Sequence, residues 1–230
     1  MIRKRYAIVI AGASGCGKTA LVKKIAENIR GTALFYDNYS HLLKNKPLVD
    51  DSDNLESQMN QKHYILSRLA EDLKLLLAGE TIIEPLTGEE IRPRKYIIVE
   101  DPHGRERHDI GHLYDYVVLE DTPLEICLAR VLMRVFGGKY FMKEGTRELI
   151  AQEKADPKEK ITVFEKHLNG QYWSRENYII VNNYVRKNAD LIIDGLGSIE
   201  DIAELVIRKF KKFKTSITTK KMKGESKSLL

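Results

Sequence analysis

The amino-acid sequence predicts an α/β protein built on one five-stranded, mainly parallel sheet that is flanked by helices. Five short apolar runs, most of them separated by helical patterns, give the strands. Each run is nearly continuously apolar and does not alternate, which is typical of parallel strands buried on both faces. The five runs are Tyr6–Ala11, Ala33–Tyr36, Tyr96–Val99, Tyr116–Leu119 and Leu191–Ile193.

Helical patterns with one apolar face fill the intervals between these runs. The first follows the first strand, and Gly31 is placed to end it. A longer pattern runs from Leu55 to Leu76, with Gly79 placed after it. A further helix has Pro123 in its first turn, and the last is expected over Ile199–Phe210. The alternation of strands and helices therefore predicts βα units.

The domain organisation follows from the segments that break this alternation. Residues 1–212 are expected to form one domain, since 230 residues fit a single core with an insertion. Residues 80–95 carry turn-forming proline and glycine, which predicts a small hairpin. Residues 137–185 are long, polar and partly helical, as expected of a lid-like insertion. Residues 213–230 are rich in lysine and are expected to form a basic flexible tail.

Charge and cysteine content limit the classes of partner and compartment. The formal net charge is +5, but much of the excess lies in the lysine-rich end, so the body does not require a nucleic-acid partner. Only Cys16 and Cys127 are present, which excludes a disulfide framework. No run approaches the roughly 18 apolar residues of a membrane span, so a cytoplasmic location is expected. Whether the chain forms a homo-oligomer is left open.

A phosphate-binding loop follows the first strand directly. The segment GASGCGKT satisfies the pattern G-x-x-x-x-G-K-[ST] between an apolar strand and an amphipathic helix. Its glycines let backbone N–H groups surround phosphates, its lysine binds the β- and γ-phosphates, and its threonine hydroxyl reaches Mg²⁺. ATP and Mg²⁺ are therefore the expected cofactors. The loop residues are Gly12, Ala13, Ser14, Gly15, Cys16, Gly17, Lys18 and Thr19.

Acidic residues close the next strands, where the carboxyl ends of a parallel sheet face the ligand crevice. Asp37 ends the second strand and could accept the proton of an attacking hydroxyl; the alternative is a turn aspartate. Glu100 closes the third strand and could hold Mg²⁺ or its waters, with Asp101 as the rival for that role. Asp50 belongs to an acidic cluster before the second helix, where helix capping is an alternative explanation.

Two pairs of arginines are candidates for binding transferred or acceptor charge. Arg130 and Arg134 lie four positions apart and share a helix face, directed either inward to stabilise the phosphoryl group or outward to solvent. Arg105 and Arg107 lie in the loop DPHGRERH and could bind an acceptor that carries phosphate or carboxylate. A solvated loop, paired with its own acids, is the alternative for the second pair.

These motifs resemble the uridine kinase and phosphoribulokinase family of P-loop kinases over most of residues 5–210. GASGCGKT resembles the family's phosphate loop, and FYDNYS resembles the segment after its second strand. That likeness implies that Asp37 is the catalytic base and that Tyr39, one residue earlier than the family tyrosine, contacts the acceptor. PLVDDSDNLES resembles a segment whose first acid holds sugar hydroxyls, which nominates Asp50.

Further resemblances cover the rest of the site. Glu100 matches the acid that closes the family's third strand, Arg130 and Arg134 resemble its lid arginines, and NADLIIDG resembles its last strand. The hairpin departs from the family, because EPLTGEEIRP has no aromatic residue to stack on a base. The expected function is an ATP-dependent kinase for a hydroxyl of a nucleoside or another sugar-like small molecule. The alternative is an ATPase or a nucleotide-binding protein that interacts with a partner.

Overall fold

The computed structural model describes residues 5–40, 42, 67–135, 157–169 and 174–225. The strands of its main sheet are β1 (Tyr6–Ala11), β2 (Thr32–Phe35), β5 (Tyr96–Glu100), β6 (Tyr116–Glu120) and β7 (Leu191–Ile193). They lie in the order β2-β5-β1-β6-β7, and every pairing in that sheet is parallel. All five predicted runs are confirmed as strands, within one residue at each end.

The predicted hairpin at residues 80–95 is confirmed as well. It pairs two short antiparallel strands, β3 (Ile82–Ile83) and β4 (Glu90–Ile91), outside the main sheet. Gly88 lies between them with φ near 75°, a left-handed conformation that favours glycine. The hairpin therefore forms where turn chemistry interrupts the βα alternation.

Seven helices lie within the described ranges. They are α1 (Lys18–Ile29), α2 (Asp37–Ser40), α3 (Ser67–Ala78), α4 (Leu124–Val135), α5 (Pro157–Leu168), α6 (Arg175–Asn188) and α7 (Ile199–Glu225). Two short 3₁₀ turns, Gly104–Glu106 and Gly111–Leu113, follow β5. The predicted second helix is described from Ser67 onward, and the first part of the lid-like insertion, residues 137–156, lies outside the described residues. None of these helices carries an apolar stretch long enough to cross a membrane.

Two hydrophobic clusters cover the two faces of the sheet. On one face Ala7, Val9 and Ala11 of β1 pack in a cluster with buried residues of α3 and α6. On the other face Ile8 and Ile10 pack in a cluster with residues of α1 and α7. Successive residues of β1 thus point to opposite faces, and both faces are buried, which explains the unbroken apolar runs of the sequence.

The last helix is longer than its sequence pattern indicates. The prediction that it ends at Phe210 was wrong, because α7 continues to Glu225. Phe213 packs against Tyr116 with ring centroids 4.9 Å apart, and the Lys214 ammonium lies 5.7 Å from the ring centre of Tyr6. Lysine is also a good helix former, and no proline interrupts this segment. The lysine-rich sequence after Phe210 is therefore compatible with a longer helix.

Phe210 gives the first testable prediction. Its ring is buried among Tyr6, Tyr96 and Tyr116, at centroid distances of 5.9, 5.8 and 5.4 Å. Phe210→Ala should lower the free energy of unfolding by about 3 to 5 kcal/mol, because it leaves a cavity between α7 and the sheet. Equilibrium unfolding in urea measures this free energy for wild type and variant. The exposed control Leu196→Ala should change it by less than about 0.5 kcal/mol; equal effects of the two variants would contradict the packing described.

Candidate active site

The carboxyl ends of the parallel strands bring four polar groups to one edge of the sheet. The phosphate-binding loop follows β1, Asp37 follows β2, Glu100 ends β5 and Glu120 ends β6. Because β1 lies between β5 and β6, the loop has an acidic residue on each side of it. This is the position at which open parallel sheets bind ligands.

The backbone of the loop requires its three glycines. Gly12, Gly15 and Gly17 have φ values of 140°, 91° and 131°, which side chains rarely tolerate. A Cβ atom on Gly15 would also lie 2.2 Å from the carbonyl oxygen of Cys127 in α4. The glycines therefore allow the loop both to turn and to lie directly against its neighbours.

Lys18 is buried at the beginning of α1 and points back into the loop. Its ammonium group donates a hydrogen bond to the carbonyl of Ala13 at 2.8 Å. Burial acts to lower the pKa of Lys18, but the acidic groups around it, including Glu100 and Glu120, raise the pKa overall. The side chain is therefore a cation held against the loop, as binding of phosphates requires.

Thr19 and Glu100 lie together beside the phosphate-binding loop. The Thr19 hydroxyl lies 3.0 Å from both carboxylate oxygens of Glu100. Burial raises the pKa of Glu100, although Lys18 acts in the opposite direction. One hydroxyl and one carboxylate fit Mg²⁺, which takes few protein ligands and completes its shell with phosphate oxygens and water. Among the described residues there is no cluster of three or more His, Cys, Asp or Glu that would form a separate metal cage.

Asp101 has a different environment from its neighbour Glu100. Its carboxylate is fully buried and accepts hydrogen bonds from the Tyr114 hydroxyl at 2.7 Å and from the His103 N–H at 3.1 Å. These contacts hold the loop that follows β5. Of the two acids that the sequence left as rivals, Glu100 is the one that contacts the phosphate-binding loop.

Asp37 is exposed at the first position of α2. It lies near enough to Glu100 to raise the pKa of that carboxyl, so the two acids lie at the same edge of the sheet. Asp50, the other predicted acid on the acceptor side, lies outside the described residues. Asp37 is therefore exposed at this edge, whereas Glu100 and Glu120 are buried.

Tyr39 does not line an open site, contrary to what its resemblance implies. The side chain is fully buried, and its hydroxyl donates a hydrogen bond to Asp72 in α3 at 2.9 Å. Asp72 in turn pairs with Arg68 at 2.9 Å. A tyrosine one residue earlier than the family position falls on the inner side of α2, so we assign Tyr39 to the core and leave it out of the acceptor site.

Arg130 and Arg134 both point inward, which decides between the two orientations that the sequence allows. Arg134 reaches the Ser14 hydroxyl, at 3.5 Å. Arg130 donates to the carbonyl of Cys16 in the loop and, at 3.3 Å, to the carbonyl of Gly195 after β7. Arg130 thus contacts backbone carbonyls of the loop and of the segment after β7, whereas Arg134 approaches the Ser14 hydroxyl.

Arg105 and Arg107 are occupied by acids of the protein. Arg105 pairs with Asp190 at 2.7 Å and donates to the carbonyl of Asn188 at 2.6 Å, which ties its loop to the end of α6. Arg107 is only 3% exposed and lies 3.5 Å from both Asp101 and Asp109. Arg107 thus approaches Asp109 of its own loop, as the second sequence-based alternative expects, but it is buried, and Arg105 pairs with Asp190 outside the loop. We do not place either arginine in the acceptor site.

Comparison with known proteins finds relatives that are described as uridine kinases. A uridine kinase from Bacillus pumilus is 28% identical over 151 residues, which cover 58% of this chain and 69% of that protein. A uridine kinase from Shewanella sp. strain ANA-3 is 31% identical over 154 residues, which cover 55% of this chain and 67% of that protein. The chain belongs to the uridine kinase family. It is a small-molecule kinase that transfers phosphate to an alcohol group.

Other comparisons add less to this assignment. No family model matches the chain. A shikimate kinase from Acinetobacter baumannii in complex with shikimate covers 93% of this kinase at 15% identity and a TM-score of 0.46. A possible uridine kinase from Bacillus stearothermophilus covers 83% at 14% identity, also with a TM-score of 0.46. These likenesses are too distant to carry an argument about the site.

Glu120 is a residue of the site that the sequence analysis missed. It is buried at the end of β6, and its carboxylate accepts a hydrogen bond from the Cys16 thiol at 3.7 Å. Burial raises the pKa of Glu120 to about 7, although Lys18 and Arg130 act to lower it. The signal was present, because Glu120 closes an apolar run as Glu100 does. The kinase therefore holds a second carboxylate against its phosphate-binding loop.

The raised pKa of Glu120 predicts a pH dependence of stability. From an ordinary value of 4.5 to its folded value of about 7, the folded kinase binds a proton that the unfolded chain has lost. The free energy of unfolding should therefore fall as pH rises through this window, by up to about 3 kcal/mol from this group. Glu120→Gln should remove that fall and be more stable than wild type above pH 7, as measured by urea unfolding at a series of pH values.

A control separates this effect from the other carboxylates of the kinase. Glu204 lies exposed on α7, so Glu204→Gln should leave the pH profile of wild type unchanged. If the Glu120→Gln and wild-type curves run parallel between the two pKa values, Glu120 does not titrate as described.

Proposed function

We propose that this kinase uses ATP with Mg²⁺ and transfers the γ-phosphate to a hydroxyl of a nucleoside or another sugar-like metabolite. The observation that carries the proposal is the convergence of three groups. Lys18 lies in the phosphate-binding loop, the Thr19 hydroxyl and Glu100 meet at 3.0 Å, and Asp37 lies exposed at the same edge. They divide the site into a donor half and an acceptor half.

In the donor half, the loop amides and Lys18 would hold the β- and γ-phosphates. Thr19 and Glu100 would hold Mg²⁺, which when bound neutralises the charge that develops on the phosphates. Arg134, which approaches the Ser14 hydroxyl, would add a cation near the transferred group. Arg130 would keep the loop in shape through the carbonyls of Cys16 and Gly195. Positioning and charge are the main requirements of phosphoryl transfer, and these residues supply both.

In the acceptor half, Asp37 would accept the proton of the attacking hydroxyl. Its exposed carboxylate can approach a substrate, whereas Glu100 and Asp101 are buried. The names of the similar chains favour a nucleoside acceptor. The hairpin offers no aromatic residue, but Tyr36 lies directly before Asp37, with the Arg107 guanidinium 5.3 Å from its ring centre. An aromatic residue therefore precedes Asp37 directly after β2, although the hairpin has none.

The identity of the acceptor is tested by measuring ADP release in the presence of a panel of nucleosides, sugars and phosphorylated sugars. One class of acceptor should stimulate release by wild type, and Asp37→Asn should lower that stimulated rate by about 100-fold or more, because a general base contributes this much. Glu204→Gln, which changes an exposed carboxylate far along the chain, should leave the rate unchanged. Equal rates for Asp37→Asn and wild type would refute Asp37 as the base, and release that no acceptor stimulates would favour the ATPase alternative.

The metal assignment has its own test. Glu100→Gln should raise the Mg²⁺ concentration needed for half-maximal activity by roughly tenfold, since a ligand or a partner of bound water is lost. Asp101→Asn, in contrast, should lower the melting temperature and leave the Mg²⁺ requirement unchanged, because Asp101 bonds to Tyr114 and His103. The opposite pattern, with the Mg²⁺ requirement shifted by Asp101→Asn alone, would transfer the metal role to Asp101.

A further inference from the structure

The carboxylate of Glu120 lies directly against the backbone of the phosphate-binding loop. The residue is only 2% exposed. A Cβ atom on Gly17 would lie 2.6 Å from its Oε1 atom, and its Oε2 atom accepts a hydrogen bond from the Cys16 thiol at 3.7 Å. On its other side, a Cβ atom on Gly195, which follows β7, would lie 3.2 Å from its Cγ atom. The carboxylate is therefore enclosed by the loop and by the segment after β7.

This position is also beside the beginning of α1. Gly17 precedes the first turn of the helix, and that turn contains no acidic residue. The first N–H groups of a helix have no partner within the helix and carry a partial positive charge, which attracts anions. In phosphate-binding loops this end of the helix binds phosphate. Glu120 therefore brings a carboxylate from β6 close to the end of α1 that attracts phosphate.

The two cations that act on Glu120 are directed at other atoms. The Lys18 ammonium contacts the Ala13 carbonyl at 2.8 Å and the Cys16 sulfur at 3.9 Å. Arg130 donates to the carbonyl of Cys16 and to a carbonyl in the segment after β7. Burial raises the pKa of the Cys16 thiol to about 12, so this donor is neutral. The hydrogen bond to the Glu120 carboxylate therefore comes from a group that does not compensate its charge.

The charge state of Glu120 depends on the groups around it. The charged and titratable groups that act on it from neighbouring elements are Lys18 and Cys16 of the loop, Glu100 of β5, and Arg130 and Cys127 of α4. Burial, the strongest influence, raises its pKa to about 7, whereas Lys18, the Cys16 hydrogen bond and Arg130 lower it. Near neutral pH both forms of the side chain are populated, and a nearby anion favours the neutral form because like charges repel.

We propose that Glu120 limits the affinity of the loop for nucleotide phosphates, because its buried carboxylate repels them, and that binding is accompanied by uptake of a proton from solvent onto this carboxylate. No covalent bond to the nucleotide forms. The inference rests on the proposed function, since it requires a nucleotide donor, but it requires only that phosphate binds in the loop and not a particular phosphate. It therefore applies to ATP and ADP alike. Without nucleotide, the same carboxylate helps to balance the charge of Lys18.

The first test measures the affinities for ATP and ADP, each with Mg²⁺, by isothermal titration calorimetry without an acceptor. Glu120→Gln keeps the size of the side chain and removes its charge. At pH 8 it should bind both nucleotides about tenfold more tightly than wild type, because no proton has to be taken up. A purely structural role of Glu120 predicts weaker binding instead. Asp121→Asn is the matched control, because the next acid along the chain pairs with Arg186, and it should change either affinity by less than about twofold.

The second test follows the proton and can be done with wild type alone. The affinity of wild type should fall about fivefold from pH 7 to pH 8, as Glu120 loses the proton that the bound state requires. Glu120→Gln should lack this fall; ionisation of the nucleotide is the same for both proteins and cancels in the comparison. Repeating the wild-type titration at pH 8 in buffers of different ionisation enthalpy measures the proton uptake directly.

The possible results separate this inference from the proposed function. If Glu120→Gln binds the nucleotides as wild type does or more weakly, or if wild type takes up no proton at pH 8, the inference is overturned alone. If wild type binds neither nucleotide, the proposed donor is wrong and the inference is overturned with it. Equal tightening by Asp121→Asn would show a general effect of acidic charge after β6 and would also overturn the assignment to Glu120.

Discussion

The buried ammonium of Lys18 is the constraint on which the rest of the site depends. A charge removed from water destabilises a fold by several kcal/mol unless other groups compensate it. Here the compensation comes from the Ala13 carbonyl and from the carboxylates of Glu100 and Glu120, one on each neighbouring strand. Burial raises the pKa of both acids because it disfavours their charged forms, and Lys18 acts in the opposite direction on each.

The parallel sheet is what allows these groups to meet. Three adjacent strands, β5, β1 and β6, end at the same edge, so residues far apart in sequence come together without any long loop. The glycines let the loop lie on α4 and β6, because a Cβ on Gly15 would collide with the Cys127 carbonyl and one on Gly12 with the Glu120 carbonyl. Thr122 and Arg130 then hold the Cys16 carbonyl from outside. The loop is therefore shaped by its surroundings before any nucleotide binds.

The elements that depend on local pattern could be predicted from the sequence, and those that depend on orientation could not. Continuous apolar runs identified the strands, and glycine spacing identified the loop, because each pattern has one physical explanation. Tyr39 differs: its position after Asp37 suggested an acceptor contact, but only the three-dimensional course of α2 shows that it faces Asp72. The sequence likewise suggested that Arg105 and Arg107 bind the acceptor. In the structure Arg105 pairs with Asp190 on another segment, and Arg107 pairs with the buried Asp101.

The packing of α7 on the sheet has a consequence for synthesis of the chain. Val206 and Phe210 complete the core on the face of the sheet that also contains Ile8 and Ile10. During synthesis β1 therefore waits for α7 before the core on this face of the sheet is complete. Until then, a row of apolar side chains stays open to solvent and to other nascent chains, which is the circumstance in which chaperones bind. Translation that stops before Phe210 should produce an aggregation-prone fragment and not a smaller kinase.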